Sequence, residues 1–158
     1  MVEKHEHKHT TLRHFMAEAG EQCEGQGEKL TPLRRQILEI IYKQKKPVKA
    51  YELIRLISTR DHSAKPPTVY RTLDFLLKVG LIHRVETLDA FMACCHPRHE
   101  ATSQLLICGA CGDVQETESN SFAAAIKTLG ASRKFQPQSQ TIEIQGLCSS
   151  CHEGQSHV

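Results

Sequence analysis

The sequence predicts an α+β fold, with a winged helix-turn-helix in the first half and a small α/β unit closed by paired cysteines in the second. Three observations carry this reading. Apolar residues recur at helical spacing in three successive segments between Pro32 and Gly80. Strand-like alternation takes over from Leu81 to Cys94. Two Cys-x-x-Cys pairs, Cys108/Cys111 and Cys148/Cys151, each stand at the end of a predicted strand.

The chain has 158 residues, enough for one ordinary domain or two small ones. Two small domains would have thin cores, so a metal staple or a partner subunit is expected. No segment approaches the roughly 20 consecutive apolar residues of a membrane span, and no membrane association is expected. Residues 1–10 are charged and His-rich with no apolar run behind them, unlike a secretory signal, so the expected location is the cytoplasm. In that reducing compartment seven cysteines read as metal ligands or redox groups before disulfides. The net charge of +2 conceals an asymmetry. Residues 1–94 hold 16 of the 20 Lys and Arg and 12 of the 18 Asp and Glu, a net +4, while residues 95–158 carry a net −2. A basic half beside an acidic half suits a nucleic-acid reader joined to something else.

Residues 1–10, with His5, His7 and His9 alternating, read as a solvated tail or a metal-catching one. Residues 11–27 look helical through Leu12, Phe15, Met16 and Ala19, ending near Gly25–Gly27. Thr31 then offers an N-cap and Pro32 the first helical position, where its missing N–H leaves no bond unmade. Leu33, Ile37, Ile40 and Ile41 form the inner face of that helix, and Pro47 closes the segment. A short helix follows with Leu53, Ile54 and Ile57 inside, then a polar turn from Ser58 to Ser63. Pro66 and Pro67 fit only at a helix start. Val69, Leu73, Leu76 and Leu77 make that helix's buried stripe, and Gly80 stops it. Thr68, Tyr70, Arg71 and Lys78 face outward, so the pair of helices reads as helix-turn-helix. Leu81 to Cys94 reads as the following β-hairpin, turning at Thr87–Ala90, which sets His83 directly opposite Cys94. The second half offers strands at Gln104–Ile107, Asp113–Thr117 and Gln140–Gln145, a helix from Ser121 to Leu129 ending at Gly130, and a polar tail. The organisation expected is a tail (1–10), a winged-helix DNA-binding domain (11–94), a hinge (95–99), a second domain (100–152) and a tail (153–158).

Two Cys-x-x-Cys knuckles supply four thiolates, Cys108, Cys111, Cys148 and Cys151, which suits closed tetrahedral structural zinc. The rival is a thioredoxin-like redox pair, which needs one Cys-x-x-Cys at a helix start after a strand. A sparser group comprises His83, Cys94, His96, His99 and Glu116. Imidazole, thiolate and carboxylate together make a competent zinc site, here one that bridges the wing and the second half. Cys95 becomes the ligand instead of Cys94 if the hairpin register shifts by one residue, and Cys23 reads as a buried or idle thiol. Lys65 and Arg71 suit phosphate or guanine, and Tyr70 suits a thymine methyl or a sugar.

The run Pro66-Pro67-Thr68-Val69-Tyr70-Arg71-Thr72-Leu73-Asp74-Phe75-Leu76 resembles the recognition helix of the ferric uptake regulator family. With Lys65 before it, it is most similar to the zinc-sensing branch of that family. Leu30-Thr31-Pro32, Ala50-Tyr51-Glu52-Leu53 and both Cys-x-x-Cys pairs fit as well, so the resemblance spans about residues 11–152. It implies a homodimer that binds double-stranded, AT-rich palindromic operators when zinc-loaded and represses zinc uptake genes. It makes the second domain the dimerisation domain. Tyr51, Lys65, Thr68, Tyr70 and Arg71 are then the DNA-binding residues. Cys108, Cys111, Cys148 and Cys151 hold structural zinc, and His83, Cys94, a histidine and Glu116 form the regulatory site. In some members of the branch that histidine stands seven residues before the first knuckle cysteine, where this chain has Ala101. His99 is the nearest candidate and His96 its substitute. Gln138 and Gln145 stand where a further His-rich site would need histidine, which favours two zinc ions per chain over three.

The alternatives within the family sense iron, nickel or peroxide; outside it, the alternatives are a Cys-x-x-Cys thiol oxidoreductase, a zinc hydrolase, or a zinc buffer or chaperone, which would not need a helix-turn-helix. Against an enzyme, there are two knuckles rather than one, no thioredoxin-like βαβ pattern, and no open position on a metal filled by protein ligands. No catalytic residue and no small organic substrate is expected.

Overall fold

The computed structural model describes residues 11–59, 65–95, 103–137 and 140–155. Four helices come first: α1 (Leu12–Gly25), α2 (Pro32–Lys43), α3 (Ala50–Ser58) and α4 (Pro66–Lys78). The hairpin strands β1 (Ile82–Val85) and β2 (Ala90–Ala93) follow, then β3 (Ser103–Cys108), β4 (Val114–Thr117), α5 (Asn120–Ser132), β5 (Thr141–Gly146) and α6 (Ser149–Gln155). Among the described residues no helix is long and apolar enough to cross a membrane.

Local chemistry explains the helix ends. The Thr11 hydroxyl accepts the His14 N–H at 3.3 Å and caps α1. Thr31 occupies the cap position of α2, but its side chain makes no cap bond; its carbonyl accepts the Arg35 N–H instead, and Pro32 supplies the preset φ. At the end of α4, Leu81 N–H returns to the Leu76 carbonyl and Gly80 N–H to that of Leu77. This double closure requires a left-handed residue, and Gly80 supplies it at φ 73°.

The hairpin differs from its expected pairing. Glu86–Leu88 wind into a single 3-10 turn, Asp89 takes a left-handed φ of 46°, and the strands close at Val85 opposite Ala90. His83 therefore faces Met92, not Cys94, a slip of two residues. Because side chains alternate with period two, this slip leaves His83 and Cys94 on the same face, as diagonal neighbours. A one-residue slip would have sent them to opposite faces.

Both faces of the hairpin are used. Ile82, Phe91 and Ala93 pack into the large core of Phe15, Ile37, Leu53, Leu73, Leu76 and their neighbours on α1–α4. Val85 and Met92, on the other face, join Leu105, Ile107 and Val114 of the second sheet in a small second core. That sheet has the order β4-β3-β5, with β3 antiparallel to β4 and parallel to β5.

Two other expectations are corrected. Gly130 does not end α5: the helix runs to Ser132, and the left-handed residue after it is Lys134 at φ 52°. Gly130 is instead buried where the returning chain crosses, and a Cβ there would come 2.7 Å from the Phe135 carbonyl oxygen. The end of the chain is not only polar tail: Cys151 and His152 N–H groups bond the Cys148 carbonyl, and the second knuckle winds on into α6. Gly130→Ala should therefore destabilise the protein by about 1–3 kcal/mol, although alanine is intrinsically the better helix former by about 1 kcal/mol. Gly20→Ala, with open space around its Cβ on α1, should instead be neutral or stabilising. Urea unfolding of the two variants distinguishes contact from propensity.

Candidate metal centres and nucleic-acid interface

Parallel pairing of β3 with β5 brings their C-terminal ends side by side, with Cys108 in register with Gly146. The Cys-x-x-Cys turns that follow both strands therefore meet. The first knuckle closes through Cys108 N–H to the Asp113 carbonyl and Gly112 N–H to the Cys108 carbonyl, with Gly112 left-handed at φ 70°. The sulfurs of Cys108, Cys111, Cys148 and Cys151 all lie within 4.8 Å of one another. The Cys111 and Cys148 sulfurs are 3.8 Å apart. A tetrahedron with Zn–S bonds of about 2.3 Å has edges of about 3.8 Å, so the spacing and the all-thiol donor set fit zinc. The Cys148 N–H, 3.3 Å from the Cys108 sulfur, leads the N–H donors that draw the Cys108 thiol down to about 6. Its neighbours, Cys148 first, push the Cys151 thiol up to about 12.

The second cluster gathers His83 from β1, Cys94 from just past β2 and Glu116 from β4, again with ligand atoms within 4.8 Å of one another. Glu116 is its centre, with a side chain only 1 % exposed. Its Oε1 meets His83 Nε2 at 2.8 Å and accepts from the Cys94 thiol at 3.5 Å and the Ser103 hydroxyl at 3.2 Å. Its Oε2 accepts the Cys95 N–H at 2.7 Å. Burial alone would raise this carboxyl, but the hydrogen bond and charge of His83, with the Cys95 N–H and Cys94 thiol, hold it at about 2. An ionised carboxylate, an imidazole and a thiol converging in a nearly buried site are a mixed N/O/S donor set that suits zinc better than iron.

His99 and His96, the candidates for a fourth ligand, lie outside the described residues. Cys95 contributes its backbone rather than joining the ligand group. Cys23 is fully buried in the large core. Ser103 was not foreseen from the sequence. Its signal is the register: Leu105 pairs with Glu116, so Ser103, two residues earlier on β3, is a diagonal neighbour on the same face.

The outward face of the helix-turn-helix carries the predicted polar residues. Lys65, Thr68 and Arg71 are exposed. Tyr51 at the start of α3 and Tyr70 on α4 are 63 % and 50 % exposed, although large aromatic side chains ordinarily seek burial. Val69, Thr72, Leu73 and Leu76 point inward and fix which face of α4 is presented. The N-terminal half of α4 thus faces solvent with two cations, a phenol and the positive end of the helix dipole, an arrangement that suits phosphate and base edges.

Fold and site together define a winged-helix protein whose wing meets a second sheet at a cluster of candidate metal ligands. A sequence model of the Ferric uptake regulator family matches residues 25–145, and the chain belongs to that family. The zinc uptake regulation protein of Escherichia coli strain K12 is 37 % identical over 147 residues, spanning 91 % of this chain and 85 % of that protein. A solved zinc uptake regulator complexed with zinc and DNA superposes with a TM-score of 0.85 at 35 % identity, covering 93 % of this chain and 99 % of that one. The holo form of the regulator XcZur gives a TM-score of 0.80 at 38 % identity over 88 % of this chain and 97 % of that one. Its apo form gives only 0.52 at 37 % identity over 89 % and 97 %. Sequence identity to the two forms is nearly equal, so the difference lies in arrangement, and this structure superposes better on the holo form.

Where the wing is docked on the second sheet without metal, Glu116 contributes stability that is fully present above the ordinary carboxyl value of 4.5 and is lost as pH falls toward about 2. Thermal melts of metal-free wild type and Glu116→Gln should therefore differ most above pH 5 and converge as pH drops through that window; a gap unchanged on acidification would contradict this origin.

Proposed function

We propose that this chain is a zinc-responsive transcriptional repressor, a homodimer that binds AT-rich palindromic operators when zinc-loaded and silences zinc uptake genes. The observation that carries the proposal is the His83–Cys94–Glu116 cluster, whose ligands come from both sides of the junction between wing and second sheet. Two zinc ions per chain have separate tasks in this reading. Cys108, Cys111, Cys148 and Cys151 hold a structural ion that ties together the ends of a unit whose own core is small. His83, Cys94 and Glu116 hold the regulatory ion, with His99, or His96 in its place, as the fourth ligand. Zinc bound there would supply the positive charge that the thiolate and the carboxylate need and would accept the imidazole's lone pair. The chain supplies the rest. Residues 95–99 act as the hinge between the DNA-binding domain (11–94) and the dimerisation domain (100–152), and closing it fixes the angle of α4.

Angle matters because a dimer must place two recognition helices at a set half-site spacing. The names of the Escherichia coli relative and of the solved complex with zinc and DNA support zinc as the signal and DNA as the partner. A second copy of the chain fits the apolar surface left open on the dimerisation unit, where Phe122 and Leu129 of α5 and Ile144 of the edge strand β5 are 43 %, 61 % and 40 % exposed. Tyr51, Lys65, Thr68, Tyr70 and Arg71 contact the operator in this reading.

Cys94→Ala should keep one tightly held zinc per chain yet weaken zinc-dependent binding to an AT-rich palindromic duplex by about 5–150-fold, the usual range of allosteric coupling. Zinc titration read by fluorescence anisotropy decides it: DNA binding indifferent to zinc, or a variant equal to wild type, rejects the regulatory assignment. Leu129→Glu should shift the protein toward monomer in light scattering and weaken operator binding with it; an unchanged dimer would remove α5 from the interface.

A further inference from the structure

Leu105, at the centre of the second sheet, is paired with Glu116 on one side and Glu143 on the other. The three residues form a row across β4, β3 and β5, all on the face that receives the wing. Strands lie about 4.8 Å apart, so the two carboxylates are seated roughly 10 Å from each other, either side of the small core. Glu116 takes the base of the wing. Glu143 takes its tip: its Oε1 accepts the Glu86 N–H at 2.6 Å, and its Oε2 accepts the Thr87 N–H at 3.0 Å and the Thr87 hydroxyl at 2.5 Å. These N–H groups open the 3-10 turn and have no partner within it, so a carboxylate from another element completes them. Gln145, two residues along the same strand, reaches the Thr87 hydroxyl at 3.5 Å.

The metal-ligand cluster and the small core at Val85 and Met92 hold the base and middle of the wing against the sheet. A contact at the wing tip, some distance away, adds a further constraint on its angle. We propose that Glu143 is a positioning residue that seats the wing tip on the second sheet and so sets the angle at which the zinc-loaded chain presents α4. The inference rests on the repressor reading for its DNA consequence, but its structural consequence stands apart. Thr87 donates two bonds and Glu86 one to a carboxylate that belongs to neither group of candidate ligands. Burial would raise the Glu143 carboxyl, yet the hydroxyl and N–H of Thr87 and the N–H of Glu86 outweigh it and hold the group ionised below the ordinary carboxylate range.

The test compares zinc-loaded wild type with Glu143→Ala and Glu143→Gln, the latter keeping one neutral acceptor. Four quantities are measured: bound zinc per chain, amide exchange at Glu86 and Thr87, small-angle scattering, and anisotropy on an AT-rich palindromic duplex. Glu143→Ala should retain the wild-type zinc content, exchange those amides at least tenfold faster, scatter as a more extended particle and bind the duplex about tenfold more weakly, with Glu143→Gln intermediate. Faster exchange with unchanged scattering would overturn the proposal, reducing Glu143 to a turn cap. Zinc lost from the variant even at saturating zinc would overturn it too, since Glu143 would then be supporting the ligands themselves rather than the docked wing. If wild type itself ignores zinc in DNA binding, the repressor reading fails while scattering still decides the role of Glu143. Should the alanine variant not fold, Thr87→Val, which deletes only the hydroxyl donor, is read by the same exchange and scattering criteria.

Discussion

A buried carboxylate must be satisfied or neutralised, and Glu116 is satisfied only by groups drawn from both halves of the chain. His83 and Cys94 come from the two ends of the wing, the Cys95 N–H from the chain leaving it, and Ser103 from the neighbouring strand. The position of the wing on the second sheet, the departure of the chain after Cys94 and the start of β3 all follow from closing that one shell. Removing any donor would strand a charge in a nearly dry site, which costs more than a lost hydrogen bond between neutral groups.

The wing is consequently a shared layer rather than an appendage. One face belongs to the helical core and the other to the second sheet, so a displacement of that sheet is transmitted to α4 through Ile82 and Phe91 packed beneath it. The coupling is short and made of close-packed side chains, which shift as blocks instead of deforming smoothly. The Lys46 ammonium, 3.2 Å from the Cys111 carbonyl, adds a polar tie between the loop after α2 and the first knuckle. The helical unit therefore touches the second unit at the thiol cluster as well as along the wing.

How much of this was legible in the sequence depends on the kind of signal. Helices with an apolar stripe and a proline start, α2 and α4 above all, were readable because one face of each must be buried. The Cys-x-x-Cys spacing announced its cluster because few other arrangements need four thiolates so placed. The hairpin was readable in kind and misplaced in register, since no local rule signals the 3-10 turn at Glu86–Leu88, whose leading N–H groups bond Glu143 more than fifty positions away. Faces survived the error because it was an even one. Ser103 and Glu143 were missed for a shared reason: each is an ordinary polar residue whose role exists only once strands pair. The α6 helix was missed because it grows from a knuckle rather than from an apolar pattern.

The two clusters differ in what must be ordered before they close, and that difference separates a permanent ion from a responsive one under the proposed reading. The four thiols stand at adjacent ends of two strands already held in parallel register by backbone bonds, so little chain entropy remains to be lost on binding. The mixed cluster must in addition dock the wing on the sheet, bringing His83 and Cys94 to Glu116. That ordering free energy is subtracted from the affinity of the site. A site of this kind fills at higher free metal than the thiol site and empties first when metal falls. Contacts such as those of Glu143, which dock the wing without metal, return part of that free energy and so raise the affinity of the mixed site without touching its ligands. The zinc level at which the chain switches is then set jointly by the ligands and by the carboxylate on the far side of Leu105.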